Sequence, residues 1–153
     1  MRYWMMKCEP SVYNIEDLRK ESNQTTTWEG VRNYQARNML RDEIKKGDLA
    51  FFYYSNTKTP GIAGIMEIIK DGYPDFTAWD PEHRYFDPVS TPENPRWYLV
   101  DVKLVKVFNN IVSLSALRAD PKLADLWILR KGNRLSVTPV TLTQWEEILT
   151  LSK

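Results

Sequence analysis

Histidine and cysteine are almost missing from this chain: His83 and Cys8 are the sole members of their types. One cysteine cannot form an intramolecular disulfide, which fits a reducing compartment. One residue of each type gives no CxxC, HxxxH or HExxH spacing, so neither a dedicated zinc site nor any cofactor is expected. No acidic cluster points to a carboxylate-only magnesium site either. Nucleophilic catalysis is as poorly supplied. There is no GxSxG elbow, no P-loop and no GxGxxG stretch. A Cys8–His83 dyad would need the fold to bring the two together. Cys8 reads better as a small buried hydrophobe, and His83 as a solvated loop residue. Paired acids such as Glu67 and Asp71 occur, but 20 acidic residues make such pairs by chance. The chain therefore reads as a binding protein, not an enzyme.

Long apolar runs and an excess of one charge are absent too. Nothing approaches the ~20 apolar residues of a membrane span. The opening Met1–Lys7 is too short and too soon charged to read as a signal peptide. The expectation is a cytoplasmic protein with no membrane partner. Its 21 basic and 20 acidic residues leave a formal charge of +1. A protein that coats nucleic acid non-specifically is usually more basic, because phosphate neutralisation drives that binding. A nucleic-acid partner would have to be held at a local site.

What is present is an ordinary globular balance, 42% hydrophobic and 27% charged over 153 residues, which fits one domain spanning the chain. Six Trp and eight Tyr are many for that length, and each combines a stacking face with a polar handle. Tyr3–Met6 reads as a buried strand. Asn14 caps a short helix over 15–20, with Asp17 three residues on. Residues 21–27 read as a polar loop. Asn33 caps a longer helix over about 34–45, with Ala36, Leu40 and Ile44 as its apolar stripe and Gly47 closing it. Strands are expected over 48–54, 62–69, 97–107 and 135–139. Helical stretches are expected near 115–118 and 121–129. Thr143 and Glu146 look like the capping box of a last helix. Between Lys70 and Arg96 fall Pro74, Pro81, Pro88, Pro92 and Pro95, a long irregular excursion of the kind that is usually functional or mobile. Short strands mixed with short helices, without βαβ alternation, indicate an α+β domain, shaped as a bent sheet or small barrel with peripheral helices.

The unusual stretch is Trp28-Glu-Gly-Val-Arg-Asn-Tyr-Gln-Ala-Arg-Asn38. It gathers an aromatic face, amides and guanidinium groups where a loop enters a helix. A pocket for a planar base needs that set, a ring to stack and amides to satisfy donors and acceptors. A plainer account also stands, and composition alone favours it: Trp28 packs in the core, Asn33 only caps, and the arginines are solvated. Arg37, Arg41 and Lys45 form a basic ridge at helical spacing. Arg130, Lys131 and Arg134 form a second basic group. Either group could meet phosphates, or simply be solvated.

Three stretches carry a resemblance: Tyr3–Pro10, Trp28–Asn38, and Gly47–Asp48 with Phe51–Ser55 and Pro60–Gly64. Arg134–Val137, Pro139–Val140 and Trp145 extend it. The chain resembles an EVE domain of the PUA-like superfamily, from about Arg2 to Ile148. That resemblance implies a PUA-like mixed β-barrel with peripheral helices. It also implies a module that recognises a modified nucleobase in DNA or RNA, with the base flipped out against aromatic side chains. Carried over by motif, Trp28 would be a pocket wall, and Asn33, Tyr34, Gln35 and Arg37 would line or shape the entrance. Lys7 and Ser55 would face the same cavity, and Arg134, Leu135, Ser136 and Pro139 would close its far side. Flanking phosphates would meet Arg32, Arg37, Arg41 or Lys131. The sequence departs from the family at Cys8, often Ser, and at Tyr54, often His. Two other functions stay open: binding of a small anionic or nucleotide-like molecule, or of a regulatory protein partner; and a nucleic-acid-processing enzyme.

Overall fold

The computed structural model describes residues 1–153. Six strands form one mixed sheet: β1 (Tyr3–Cys8), β2 (Thr25–Thr27), β3 (Leu49–Tyr54), β4 (Gly61–Pro74), β5 (Tyr98–Ser113) and β6 (Val137–Val140). Their order is β2-β5-β4-β3-β1-β6. β1 and β3 run parallel, in register from Tyr3 opposite Leu49 to Cys8 opposite Tyr54, and every other pair is antiparallel. Four helices accompany the sheet: α1 (Ile15–Lys20), α2 (Tyr34–Asn38), α3 (Leu114–Ala119) and α4 (Leu142–Leu151). The class is α+β. The hydrogen-bonded order has two ends, β2 and β6. Four register shifts interrupt the β4–β5 pairing, and each such irregularity bends the sheet and sharpens its twist.

Alternation along the central strands explains why they read as unbroken apolar runs. Trp4 and Met6 of β1, with Ala50 and Phe52 of β3, enter one core cluster together with Trp28, Leu40 and Val102. Met5, Phe51 and Tyr53 enter a second, with Phe108, Leu117, Trp145 and Ile148. Successive side chains of a strand point to opposite faces. A strand covered on both faces is apolar at every position.

Local chemistry sets the element ends. Asn14 Oδ1 accepts from the Asp17 N–H at 2.9 Å, and Asp17 returns the bond to the Asn14 N–H at 2.9 Å. Asn33 Oδ1 accepts from the Ala36 N–H at 3.0 Å and opens α2. That helix is shorter than its apolar stripe predicts. It passes into a π-helical turn over Met39–Glu43, and Ile44 is already extended. The three apolar positions are buried nonetheless. The capping box of α4 is Thr141 with Gln144, two residues ahead of the expected pair. Thr25–Thr27, expected as loop, is the edge strand β2, and three β-branched residues in a row favour that state. The irregular excursion begins only after Pro74, because β4 continues to that residue against β5. No helix is long and apolar enough to cross a membrane.

Candidate nucleic-acid interface

The parallel pair β1 and β3 ends at Cys8 and Tyr54. Beyond those ends the chain opens a hollow of about 690 Å³. A volume of that size suits a small planar ligand. Lys7, Cys8 and Ser55 line it from the strand ends, and Trp28, Glu29 and Gly30 from the segment after β2. His83, Arg84 and Tyr85 of the proline-rich excursion and Arg134 and Ser136 ahead of β6 complete its walls.

Each wall is tied to the frame. Trp28 continues β2, its N–H donating to the Val100 carbonyl at 2.8 Å. Its ring is 6% exposed and meets Phe52 edge-on, with centroids 5.3 Å apart. Trp28 is therefore a core residue and a cavity residue at once. The Lys7 N–H donates to the Ser136 carbonyl at 2.8 Å, and the Ser55 N–H to the Cys8 carbonyl at 2.9 Å, so three of the lining segments are stitched by backbone.

The excursion is held by Asp75, which is 1% exposed. Its Oδ2 accepts from the Gly30 N–H at 2.9 Å and from Arg32 Nη1 at 3.0 Å, and its Oδ1 accepts from the Thr77 N–H at 2.9 Å. Arg32 Nη2 also donates to the Tyr85 carbonyl at 2.6 Å. Above these bonds lies an alternating stack. The Arg32 guanidinium sits 5.5 Å from the Tyr85 ring and 5.3 Å from the Trp97 ring. Trp97 in turn stacks on Tyr34 at 5.0 Å, and Arg37 lies 5.0 Å over Tyr34. Arg37 Nη1 donates to the Arg96 carbonyl at 2.6 Å. Gly30 has φ +84°, and a Cβ there would stand 2.4 Å from the Tyr85 ring, so only glycine lets Tyr85 lie against this backbone.

Burial perturbs three ionisable groups of the hollow, Lys7, Cys8 and Tyr13. Burial lowers the Lys7 pKa, since it penalises the ammonium form. The Cys8 thiol is pushed up to about 12 by burial, with Asp17 and Glu9 adding to it, and its Sγ lies 3.2 Å from the Tyr13 carbonyl. A thiol of that kind is a poor nucleophile at neutral pH. Burial is the main cause that pushes the Tyr13 pKa up to about 12, with Thr26 and Glu21 beside its hydroxyl. His83 Nε2 stands 3.7 Å from Glu29 Oε1, and its Nδ1 accepts from the Tyr85 N–H at 3.1 Å. No group of three or more His, Cys, Asp or Glu residues is arranged to hold a metal ion.

Of the residues singled out in the sequence, Lys7, Trp28, Ser55, Arg134 and Ser136 line this hollow. The others lie elsewhere. Asn33 caps α2, Tyr34 and Arg37 join the stack on Trp97, and Gln35 is exposed on the same helix. Leu135 belongs to the core cluster around Trp4, and Pro139 lines a second, smaller hollow beside β6. Among the expected phosphate contacts, Arg32 is bound to Asp75 and Arg41 is forked onto Asp42 with both bonds 2.8 Å. Tyr54 does not line the hollow. Its hydroxyl accepts from the Ile15 N–H at 3.0 Å and fixes the start of α1. The lining residues that sequence reasoning passed over are chiefly Tyr13, Glu29 and the His83–Tyr85 turn. The length of the excursion was the one signal pointing to that turn.

A sequence profile of the EVE domain matches residues 2–151, and the chain belongs to that family. Human thymocyte nuclear protein 1 is 39% identical over 99% of this chain and 74% of its own length. A crystal structure of a Pseudomonas putida protein superposes with a TM-score of 0.94 at 45% identity, covering 99% of both chains. The crystal structure of human THYN1 protein in complex with 5-methylcytosine containing DNA superposes with a TM-score of 0.92 at 39% identity, covering 100% of this chain and 98% of that one.

Proposed function

We propose that this protein binds DNA carrying a modified base, a methylated cytosine in the first instance, and holds the flipped base in the hollow beyond β1 and β3 without turning it over. The observation that carries this reading is the relative with the same fold, seen bound to DNA containing 5-methylcytosine. The hollow has the chemistry such a base requires. Trp28 offers an aromatic face, with stacking worth ~1–3 kcal/mol per base in such sites. Lys7 carries donors for carbonyl or ring-nitrogen acceptors. Extrusion from the stack costs a few kcal/mol, which backbone contacts outside the hollow would offset. Binding without catalysis is supported by the suppressed Cys8 thiol and by the human relative seen in complex with 5-methylcytosine containing DNA.

The test is a variant that fills the hollow and leaves the core alone. Truncating Trp28 to alanine would remove a buried aromatic from the main core cluster, at ~3–5 kcal/mol, and confuse folding with binding. Ser136→Trp instead places bulk at a half-buried lining position. The expected result is an unchanged circular-dichroism melt, with methylated and unmethylated duplexes bound equally weakly. Retention of the wild-type preference by that variant would show that the base sits elsewhere. The small-molecule reading is checked in the same assay: free 5-methylcytidine competing as well as the oligonucleotide would favour it.

A further inference from the structure

The molecule is nearly neutral, so any phosphate grip must come from where its cations stand and whether they are free. Most arginines are committed. Arg2, Arg19, Arg32, Arg41 and Arg96 each pair with a carboxylate, and Arg37 is spent on the Arg96 carbonyl. The segment between the 3-10 turn at Trp127–Leu129 and β6 is different. Arg130, Lys131 and Arg134 are all exposed, and none has a carboxylate within 4.0 Å. Arg134 reaches the rim of the hollow already described, and Arg130 lines the second hollow, of about 420 Å³.

These three cations stand on a built turn. The Asn133 N–H donates to the Arg130 carbonyl at 3.1 Å, which closes four residues. Gly132, at φ +75°, takes the third position of that turn, where a left-handed residue is required. Asn133 Oδ1 then accepts from the Leu135 N–H at 3.2 Å and leads the chain into β6. The Arg130 guanidinium lies flat over Trp127, 4.3 Å from the ring. Arg84, which lines the same hollow, sits 5.2 Å from the Tyr85 ring and is likewise unpaired. The carboxylates of the hollow are occupied meanwhile, Glu9 by the Asn56 amide at 3.2 Å and Glu29 by the Thr27 hydroxyl at 3.0 Å.

We propose that the Arg130–Arg134 turn is the phosphate track of this protein, carrying the DNA backbone that flanks the bound base from the rim of the hollow toward Trp127. Arg84, in the lining of the same hollow, takes a further phosphate. This assignment rests on the nucleic-acid reading above; of the phosphate contacts expected from the sequence it keeps Lys131, joins Arg130 and Arg134 to it, and drops Arg32, Arg37 and Arg41, which are internally engaged. Guanidinium and ammonium groups on a preset turn meet phosphate oxygens without first breaking an ion pair.

The experiment measures the affinity of the full chain for a short duplex with one central 5-methylcytosine, and for its unmethylated twin, across a salt series. Each lost phosphate contact on B-DNA removes ~0.9 from the slope of log affinity against log salt. The triple variant Arg130→Gln, Lys131→Gln, Arg134→Gln is expected to weaken both duplexes alike, flatten the slope by about 2 to 3, and melt like the wild type. Arg41→Gln with Lys45→Gln is expected to leave the slope unchanged. A wild-type slope in the triple variant overturns the track, as does a flattening confined to the α2 pair. If the wild type binds both duplexes equally but the triple variant still flattens the slope, the track stands and the modified-base reading fails. Absence of any DNA binding by the wild type overturns both.

Discussion

Gly30 shows how one residue couples sequence to the site. Its N–H is held by Asp75, its φ is +84°, and the Tyr85 ring occupies the space a Cβ would take. Gly132 has a similar φ, +75°, but nothing lies within 4 Å of where its Cβ would stand. The two therefore separate strain from collision. Gly132→Ala should cost only the backbone term, ~1 kcal/mol, in a urea titration. Gly30→Ala carries that strain and must also displace Tyr85, so it should cost more and lower affinity for methylated DNA. Equal losses at the two glycines would mean that Tyr85 yields freely and is not a fixed wall. Little of this was legible in the sequence. Gly30 stood out only as part of a motif, because the contact that requires glycine comes from 55 residues further along. Trp28 shows the opposite case. It packs in the core, with a T-shaped contact to Phe52, and it also borders the hollow, so the two positions weighed for it do not exclude one another.

The elements follow from the sequence where the signal is local and drift where it is not. Asn14, Asn33 and the apolar run of β3 mark their elements within a residue, because caps and two-sided burial are written in adjacent positions. The far end of α2, the length of β4 and the existence of β2 depend on partners distant in sequence. The same holds for the excursion after Pro74. Its length marked it as functional or mobile, and what fixes it is Asp75, a buried carboxylate that satisfies Gly30, Arg32 and Thr77 at once. The pair Arg32–Asp75 has side-chain exposures of 25% and 0%. Removing one partner of a buried pair costs ~3 kcal/mol, because the other charge is left unmatched. Asp75→Ala should therefore lower stability by about that amount and loosen the excursion. Hydrogen exchange is expected to rise most at the Gly30 and Thr77 amides, which donate to Asp75, with protection in β3 retained. Uniform loss of protection across the sheet would show that Asp75 supports the whole fold rather than this segment.

At the scale of the whole molecule, the sheet brings the ends of its one parallel pair, the segment after β2, the excursion and the turn before β6 to a common hollow. Five separate stretches of chain contribute, which is why the motif positions named in the sequence are divided between the hollow and its supports. Asn33 caps the helix that carries Tyr34 and Arg37, and these two, through Trp97 and Arg32, stack against the segment that lines it. The near-zero net charge, which argued against non-specific coating, is consistent with a grip confined to one local site. The central claim is that this hollow reads a modified base in DNA. The most direct measurement is the affinity of the wild-type protein, at one fixed salt concentration, for duplexes identical but for a single cytosine, 5-methylcytosine or 5-hydroxymethylcytosine. One modified duplex is expected to be bound at least ~10-fold more tightly than the plain one, the lower end of the range for a methyl-sized group in a pocket. Equal affinity for all three duplexes would contradict it.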